Sequence, residues 1–209
     1  MKKPFWMAVW LLVIELVLIL VLIPGDMTMR AINTESEYVE RSLGVQSRDW
    51  IHSRASDWYR SAIIDSGVYE QVQRAFIPTE AEKKASRGME RSWDFWFNWV
   101  QGRLDAITKI VYQFFSRLAL AAIWAPYMLV LLLPAVFDGY MTWMIKRANF
   151  DYASPVVHRY SVRAVTGLAC AMFVAFFLPV AIDPIVIPLT LMAMCVLMGL
   201  SVGNLQKRI

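Results

Sequence analysis

Four apolar runs restrict this chain to a membrane fold, because each has about the 20 residues that a helix needs to cross a bilayer. They occupy residues 5–23, 118–137, 162–182 and 185–202. Charged residues make up 18% of the chain, whereas an average soluble domain has about 25%. The runs therefore predict an all-α membrane protein with four transmembrane helices.

The positions of lysine and arginine predict how these helices are oriented. The short flanks on one side hold Lys2, Lys3, Lys146, Arg147, Arg159, Arg163, Lys207 and Arg208. The short turn on the other side holds Asp183 and no basic residue. Because basic flanks stay in the cytoplasm, we expect both termini and the loop 138–161 there, in a bacterial inner membrane. The segment 26–117 is then outside, since long segments translocate largely regardless of charge.

The first run belongs to residues 1–25, which we interpret as an uncleaved membrane anchor. Its basic start is also typical of a signal peptide. However, the run is longer than a signal peptide needs, and no small-x-small cleavage site precedes Asp26. The other boundaries follow from the runs: 118–137 is the second transmembrane helix, and 162–209 is a transmembrane hairpin with a short cytoplasmic tail.

The outside segment 26–117 carries helix signals. The sequences TESE at 34–37 and TEAE at 79–82 match the capping box, in which a hydroxyl and a carboxylate satisfy free amide groups at a helix start. Ser66-Gly67 indicates the end of the first helix. We therefore predict an extracytoplasmic hairpin of two long helices, with a short apolar piece at 68–76 between them.

The second hairpin helix has the clearest pattern in the chain, an apolar heptad seam. Its members are Trp93, Phe97, Val100, Leu104, Ile107, Val111, Phe114 and Leu118. They are spaced alternately four and three residues apart, which is typical of helix packing. We predict one continuous helix from about Glu80 into the second transmembrane helix. The seam closes against the first helix or a second chain, whereas Trp96 and Trp99 lie off it and are candidates to contact a partner protein or the outer lipid face.

Glu15 lies near the middle of the first apolar run, where a carboxylate is costly and often functional. Three interpretations stay open. The side chain is protonated and hydrogen-bonded to Thr190 or Ser201, it binds a partner's membrane helix, or it relays protons or ions. The last would make the protein a small transporter, but the centres of the other runs offer no second acid or base.

The sequence contains no motif for catalysis or cofactor binding. There is no P-loop, GxGxxG, HExxH or GxSxG. Cys170 and Cys195 lie in apolar runs and have no metal-ligand spacing with His52 or His158. We therefore expect no enzyme activity, no metal or other cofactor, and no small-molecule substrate.

The loop after the second run is predicted to start where Asp138 and Gly139 end the helix. The residues that follow are Tyr140, Trp143, Lys146 and Arg147. Aromatic rings and cations at this position contact the headgroups of anionic lipids. The Asp138 carboxylate is expected to pair with Lys146 or Arg147, and His158 is a hydrogen-bond anchor for the loop. So few cations without a nucleic-acid-binding fold predict no sequence-specific DNA binding.

This region also resembles a known family. The features that carry the resemblance are Pro134-x-x-x-Asp138-Gly139, the pair Lys146-Arg147 and the stretch SPVVHR at 154–159. They are similar to a motif in membrane proteins of integrating conjugative elements and conjugative plasmids. The resemblance implies four transmembrane helices, a long outside segment and a gene that is encoded near the coupling ATPase of a type IV secretion system. The matching interaction residues, with no catalytic role, are Asp138, Gly139, Lys146, Arg147 and His158.

The resemblance predicts a non-enzymatic accessory or scaffold protein of the inner membrane that serves conjugative DNA transfer. Its expected partners are membrane lipids and the coupling ATPase. Two alternatives stay open, namely a small transporter or ion-coupled component that uses Glu15, and a sensor whose outside hairpin binds a signal.

Overall fold

The computed structural model describes residues 25–76 and 90–205, together with Trp6, Trp10 and Ile14. Every regular element within these ranges is helical, as the all-α prediction requires. The helices are α1 (Gly25–Leu43), α2 (Val45–Tyr59), which continues as a π-helical turn (Arg60–Ile64), α3 (Val68–Phe76), α4 (Glu90–Ala148), α5 (Pro155–Phe177) and α6 (Val186–Gly203).

Three of the described helices are long and apolar enough to cross a membrane, and they overlap three of the four predicted runs. They are the Trp99–Ala148 part of α4, all of α5 and all of α6. The predicted first transmembrane helix, 5–23, lies outside the described residues apart from three single positions. Glu15 therefore also lies outside them.

Helix α4 joins the predicted outside helix to the predicted second transmembrane helix. This continuity is found from Glu90 onward, whereas the predicted start near Glu80 lies outside the described residues. Pro126 and Pro134 lie within the helix without ending it. Prolines are tolerated in apolar helices of this kind because neighbouring groups satisfy the carbonyls that they free.

The predicted helix end at Asp138-Gly139 is wrong, since α4 continues to Ala148. A glycine inside a helix costs only about 1 kcal/mol, and at Gly139 it permits close packing with α6, described below. Because α5 begins at Pro155, the predicted loop 138–161 is non-helical only over 149–154.

The first predicted outside helix differs from the structure at its start and in its middle. Thr34 is not an N-cap, because its hydroxyl donates to the Arg30 carbonyl inside α1 at 2.9 Å. Gly44 adopts a left-handed backbone with φ of 84° and separates α1 from α2. The predicted end at Ser66-Gly67 is confirmed, since Gly67 has φ of 73° and follows the π-helical turn. The second capping box, at 79–82, lies outside the described residues.

The most deeply buried face of α4 is not the predicted seam, although the seam residue Val100 is also buried. The buried side chains of this face include Ala106, Ile110, Gln113 and Arg117, which are again spaced four, three and four residues apart. Most of the seam residues described are only half-buried, and Leu118 is exposed. The sequence pattern predicts the neighbouring apolar stripe instead. The buried face does not match an apolar repeat, because it includes the amide of Gln113 and the guanidinium of Arg117.

The chain divides into two compact units. The polar unit comprises Val13–Ala119 and the connecting segment Phe177–Ile182. The apolar unit comprises Leu120–Phe176, Asp183–Ile209 and the N-terminal Met1–Leu12. Helix α4 contributes residues to both units, which are described separately below.

Candidate functional site

Gly139, predicted from the sequence as a loop residue, lies at a helix contact of the apolar unit. A Cβ atom added at Gly139 would collide with the Gly199 carbonyl oxygen of α6, and one added at Gly199 would lie 2.5 Å from the Ala135 carbonyl oxygen of α4. Gly199 and Gly203 form a G-x-x-x-G pair, a spacing that lets two helix backbones approach closely. Gly139 therefore contributes to packing rather than to helix termination.

Two other predicted residues, Lys146 and His158, each form a hydrogen bond near the end of α6. The Lys146 ammonium donates to Asn204 Oδ1 at 3.0 Å, and the same oxygen accepts the Ser154 N–H at 3.4 Å. His158 Nδ1 lies 2.8 Å from the Ser201 carbonyl oxygen. Because a carbonyl only accepts, Nδ1 carries the proton and satisfies one of the free carbonyls of the last helical turn. The two side chains thus attach both ends of the 149–154 loop to α6.

The predicted ion pair between Asp138 and the basic pair is not formed. Because α4 does not end at Asp138, eight residues of helix separate it from Lys146, which is about 12 Å along the axis. Asp138 is exposed. The Arg147 guanidinium is also exposed and lies 5.5 Å from the centre of the Trp143 ring, in a cation–π contact.

The polar unit contains a buried ion pair that no sequence motif indicated. The side chains of Arg117 on α4 and Glu35 on α1 are 3% and 12% exposed. Arg117 Nε donates to Glu35 Oε1 at 3.0 Å, and Nη2 donates to the same oxygen. Arg117 Nη1 donates to the Leu178 carbonyl at 2.8 Å, and Nη2 also donates to the Val180 carbonyl. These bonds offset the desolvation that makes buried charges costly.

The Glu35 carboxylate also accepts hydrogen bonds from two other residues. Gln113 Nε2 donates to Glu35 Oε2 at 3.3 Å, and the Ile182 N–H donates to Oε1 at 2.8 Å. Arg117 and Glu35 therefore bind the connecting segment Phe177–Ile182, which links the membrane-length helices α5 and α6. Within the described residues, Gln113 Oε1 and the Thr28 hydroxyl are buried without a hydrogen-bond partner.

A second polar contact in this unit is centred on His52 of α2. Its Nε2 lies 2.9 Å from Ser36 Oγ on α1, and its Nδ1 lies 3.0 Å from the Tyr112 hydroxyl on α4. Burial, followed by the positive charge of Arg48, lowers the pKa of His52 below its usual 6.5. The imidazole is therefore neutral near pH 7 and joins three helices through two hydrogen bonds.

An open cavity of about 500 Å³ lies beside these helices in the polar unit. Part of its wall is formed by the predicted seam residues Leu104, Ile107 and Val111. The remaining lining residues are Tyr59, Ile63, Val68, Tyr69, Val72, Gln101, Gly102, Asp105 and Thr108. Three residues of the predicted seam thus line this cavity.

The remaining predicted interaction residues have different outcomes. Trp99 is half-buried on α4, and the Arg103 guanidinium lies 5.3 Å from its ring centre. The backbone of Trp96 belongs to α4, but its side chain lies outside the described residues, as does all of Glu15. Contacts of these residues with a partner stay predictions. Among the described residues, no group of three or more His, Cys, Asp or Glu side chains has a metal-binding arrangement.

No pattern in the sequence predicted the contacts of Glu35, Gln113, Arg117 and His52. One available signal was the position of Gln113 and Arg117, four residues apart and directly before the apolar run 118–137. A charged residue at that place, on the same helix face as an amide, indicates a polar contact at the end of a span. Nothing in the sequence identifies Glu35 as the partner of Arg117, because Glu35 and Arg117 are 82 positions apart.

Over the part of the chain that the structure describes, these features define an all-helical fold with three membrane-length helices and a polar unit built around a buried ion pair. The family described as IncC plasmid conjugative DNA transfer protein DtrJ-like matches residues 22–208, and the chain belongs to this family. Membership makes it a conjugative DNA transfer protein and confirms the resemblance read from the 134–159 region. No curated protein and no solved structure matches the chain.

Proposed function

We propose that this protein is a non-enzymatic accessory protein of the inner membrane that binds the coupling ATPase of its conjugation system. In this proposal four helices cross the membrane, both termini are cytoplasmic, and the polar unit is extracytoplasmic. The basic residues that flank the short 149–154 loop support the orientation, because cytoplasmic loops are enriched in lysine and arginine.

The observation that carries the proposal is the attachment of this loop to α6. Lys146 and His158 come from different helices, yet both bind the end of α6 through Asn204 and Ser201. A short loop between two membrane-length helices would need no such attachment to reverse the chain. Its fixed form favours a surface that a partner protein recognises, since preorganisation lowers the entropy lost on binding.

The experiment is affinity purification from cells that carry the complete conjugation system. The tagged chain is extracted in mild detergent, the recovered coupling ATPase is quantified, and DNA transfer is measured in matings. We expect recovery of the ATPase with the unmodified chain and loss of transfer on deletion. Recovery should fall about tenfold with Lys146→Ala/His158→Ala, a loss of about 1.4 kcal/mol. Lys109→Ala, which removes a half-buried lysine paired with Asp105 at 2.7 Å, is the matched control.

The alternatives from the sequence are tested in the same cells. Glu15→Gln should weaken assembly slightly or not at all if the chain is an accessory protein. An ion flux that depends on the chain and is abolished by Glu15→Gln would instead make it a transporter. A small ligand that changes crosslinking between α1 and α4 would make it a sensor.

A further inference from the structure

The cavity of about 500 Å³ in the polar unit has the size of a small-molecule site, since such sites enclose about 300–1,000 Å³. Three elements build its wall: the end of α2 with the π-helical turn, the first turns of α3, and residues 101–111 of α4. Its aliphatic lining residues are Ile63, Val68, Val72, Leu104, Ile107 and Val111. A wall of this kind holds water poorly, because a buried water needs about two to four polar partners. The wall therefore favours an apolar occupant over water.

Part of this apolar wall is open to solvent. Val68, Tyr69 and Val72 of α3 are 43%, 42% and 38% exposed. An occupant that covers them gains about 25 cal/mol for each Å² of apolar surface removed from water. Gly102 also lines the cavity, and a Cβ atom added there meets nothing within 4 Å. Unlike Gly139, it is not required for helix packing, although it costs α4 about 1 kcal/mol relative to alanine.

Two hydroxyl groups give this wall a polar point. Thr108 Oγ1 donates to the Leu104 carbonyl at 2.9 Å, and Tyr59 is hydrogen-bonded to Thr108. Because the Thr108 proton is used on the carbonyl, the Tyr59 hydroxyl is the donor of the second bond. A hydroxyl oxygen has two acceptor lone pairs, so both oxygens can still accept a hydrogen bond. The polar point therefore fits a ligand group that donates.

The polar point is fixed from behind by other side chains. The Tyr59 ring meets the Tyr112 ring edge to face, with centres 6.1 Å apart. The Tyr112 hydroxyl lies 3.0 Å from His52 Nδ1. Burial raises the pKa of Tyr59 above its usual 10.0, so its hydroxyl stays neutral near pH 7. A preorganised wall of this kind loses little entropy when a ligand binds.

The charge of the wall restricts the chemistry of the ligand. Asp105 is the one charged side chain among the described lining residues, and its carboxylate is paired with Lys109 at 2.7 Å. No lysine or arginine belongs to the described lining, so the phosphate or carboxylate of an anionic ligand has no cation to pair with there. An uncharged ligand leaves the ion pair intact and buries no charge.

We propose that this cavity binds an uncharged amphipathic molecule. Its aliphatic body lies between α3 and α4, and its hydroxyl or amide donor lies at Tyr59 and Thr108. The molecule is bound as a ligand and is not converted. This inference goes beyond the proposed function and does not depend on it.

A helix of another protein or of a second copy is one competing occupant, since Leu104, Ile107 and Val111 belong to the predicted seam. The described wall has twelve residues, whereas one side of a stable protein interface has about 20–30. The residues also surround one space from three elements, as they do in a ligand site, instead of following one helix. A membrane phospholipid is the other competitor, but its phosphate finds no cation in the described wall.

The first test is photo-labelling of the purified chain in nanodiscs of phosphatidylcholine. The probe is a long-chain alcohol that carries a diazirine, because it has the required aliphatic body and donor. We expect adducts in the peptides that contain residues 59–72 and 101–111, and an excess of the unlabelled alcohol should remove them. Absence of these adducts, or adducts that the excess does not remove, would overturn the inference.

A second set of nanodiscs tests the phospholipid as the occupant. It contains phosphatidylcholine with a diazirine in one acyl chain and no photoreactive alcohol. We expect adducts in the membrane-length helices and few in the two cavity peptides. Strong labelling of the cavity peptides that the unlabelled alcohol does not displace would assign the cavity to a membrane phospholipid and contradict the inference.

The variant Val72→Trp tests whether the cavity itself is the site. Because Val72 is partly exposed, the larger ring can fill the cavity without overpacking the helices. Labelling of the cavity peptides by the alcohol should fall on the order of tenfold. Val45→Trp is the matched control, since it makes the same change at an exposed position of α2 outside the cavity. Equal labelling of the two variants would refute the site.

The variant Thr108→Val tests the polar point separately and nearly preserves the size of the side chain. The apparent affinity for the alcohol should fall about fivefold, as for one neutral hydrogen bond. A diazirine-bearing alkane of the same length should bind the variant and the unmodified chain equally. Equal affinity of both chains for the alcohol would show that the polar point does not bind the ligand.

These outcomes are independent of the proposed function. If the alcohol does not label the cavity but the chain recovers the coupling ATPase, the inference is wrong and the proposed function stands. If the alcohol labels the cavity as expected and no ATPase is recovered, the ligand site stands and the proposed function is wrong.

Discussion

Different interactions stabilise the interior of the polar unit and the interior of the apolar unit. In the polar unit, the contact between α1, α4 and the connecting segment is a buried charge pair with hydrogen bonds to backbone groups. In the apolar unit, α4 and α6 meet through glycines at positions 139 and 199, where the backbones nearly touch. The hydrophobic effect requires water, so helices in lipid associate through complementary shape and close packing instead. The difference is therefore what we expect if the first unit lies in water and the second in the bilayer.

Replacement of Arg117 by Met tests the polar unit most severely. It leaves Glu35 buried without its cation and frees the Leu178 and Val180 carbonyls, so we expect a loss of about 3–5 kcal/mol in unfolding free energy. Hydrogen exchange of α1 and of the connecting segment in the detergent-solubilised chain measures this loss.

Two variants control for this result. Arg41→Met breaks an exposed pair with Glu37 and should cost at most about 1 kcal/mol. Arg117→Met/Glu35→Met removes both charges and should recover part of the loss. Equal effects of Arg117→Met and Arg41→Met would show that the buried pair is not the main contact.

Gly139→Leu tests the apolar unit. The new side chain has no space against the Gly199 carbonyl, so we expect a loss of about 1–3 kcal/mol through overpacking and separation of α4 from α6. The measurement is the melting temperature of the purified chain in detergent, together with its level in membranes. Gly167→Leu is the matched control, because a Cβ atom at Gly167 meets nothing within 4 Å. Similar stability of the two variants would contradict the close packing.

The pH dependence of the polar unit sharpens the comparison, because its His52 contact is titratable. The folded pKa is lowered below 6.5, so below pH 6.5 the unfolded chain binds a proton that the folded chain does not. Stability should therefore fall as the pH drops from about 7 through 6.5, and level off below the folded pKa. His52→Gln should reduce this dependence and cost about 1 kcal/mol at pH 7.5. Hydrogen exchange of α2 across this range measures both effects, and an unchanged slope in the variant would refute the assignment.

Thr28→Val has the smallest expected effect. The Thr28 hydroxyl is fully buried and has no partner among the described residues, so its replacement removes a polar group without breaking a hydrogen bond. We expect a change within about 0.5 kcal/mol, or a small gain in stability. A loss well beyond about 1 kcal/mol would show that the hydroxyl makes a contact that stabilises the folded chain.

The sequence predicted the parts of this fold that depend on local pattern. Three apolar runs became membrane-length helices because length and hydropathy are read directly from neighbouring residues. The continuity of α4 followed from its uninterrupted helical period. The end of the first predicted outside helix at Gly67 was recognised because a left-handed residue after a helix favours glycine.

The errors and omissions arise where a residue's role depends on distant partners. Gly139 was interpreted as a helix end, although its role is set by Gly199 on another helix. The G-x-x-x-G spacing of Gly199 and Gly203 was readable and would have suggested helix packing. Arg117 and Glu35 were missed because their charges only become compatible with burial once the fold brings them together.

The central claim is the proposed topology, in which the segment 26–117 is outside the inner membrane and the 149–154 loop is in the cytoplasm. It is tested most directly by single cysteines at the exposed positions Ser42 and Tyr152, in a chain whose Cys170 and Cys195 are changed to alanine. A membrane-impermeant maleimide is applied to cells with a permeabilised outer membrane. The account predicts labelling at position 42 and protection at position 152 until the inner membrane is opened. Labelling of both positions, or of position 152 alone, in intact cells would contradict it.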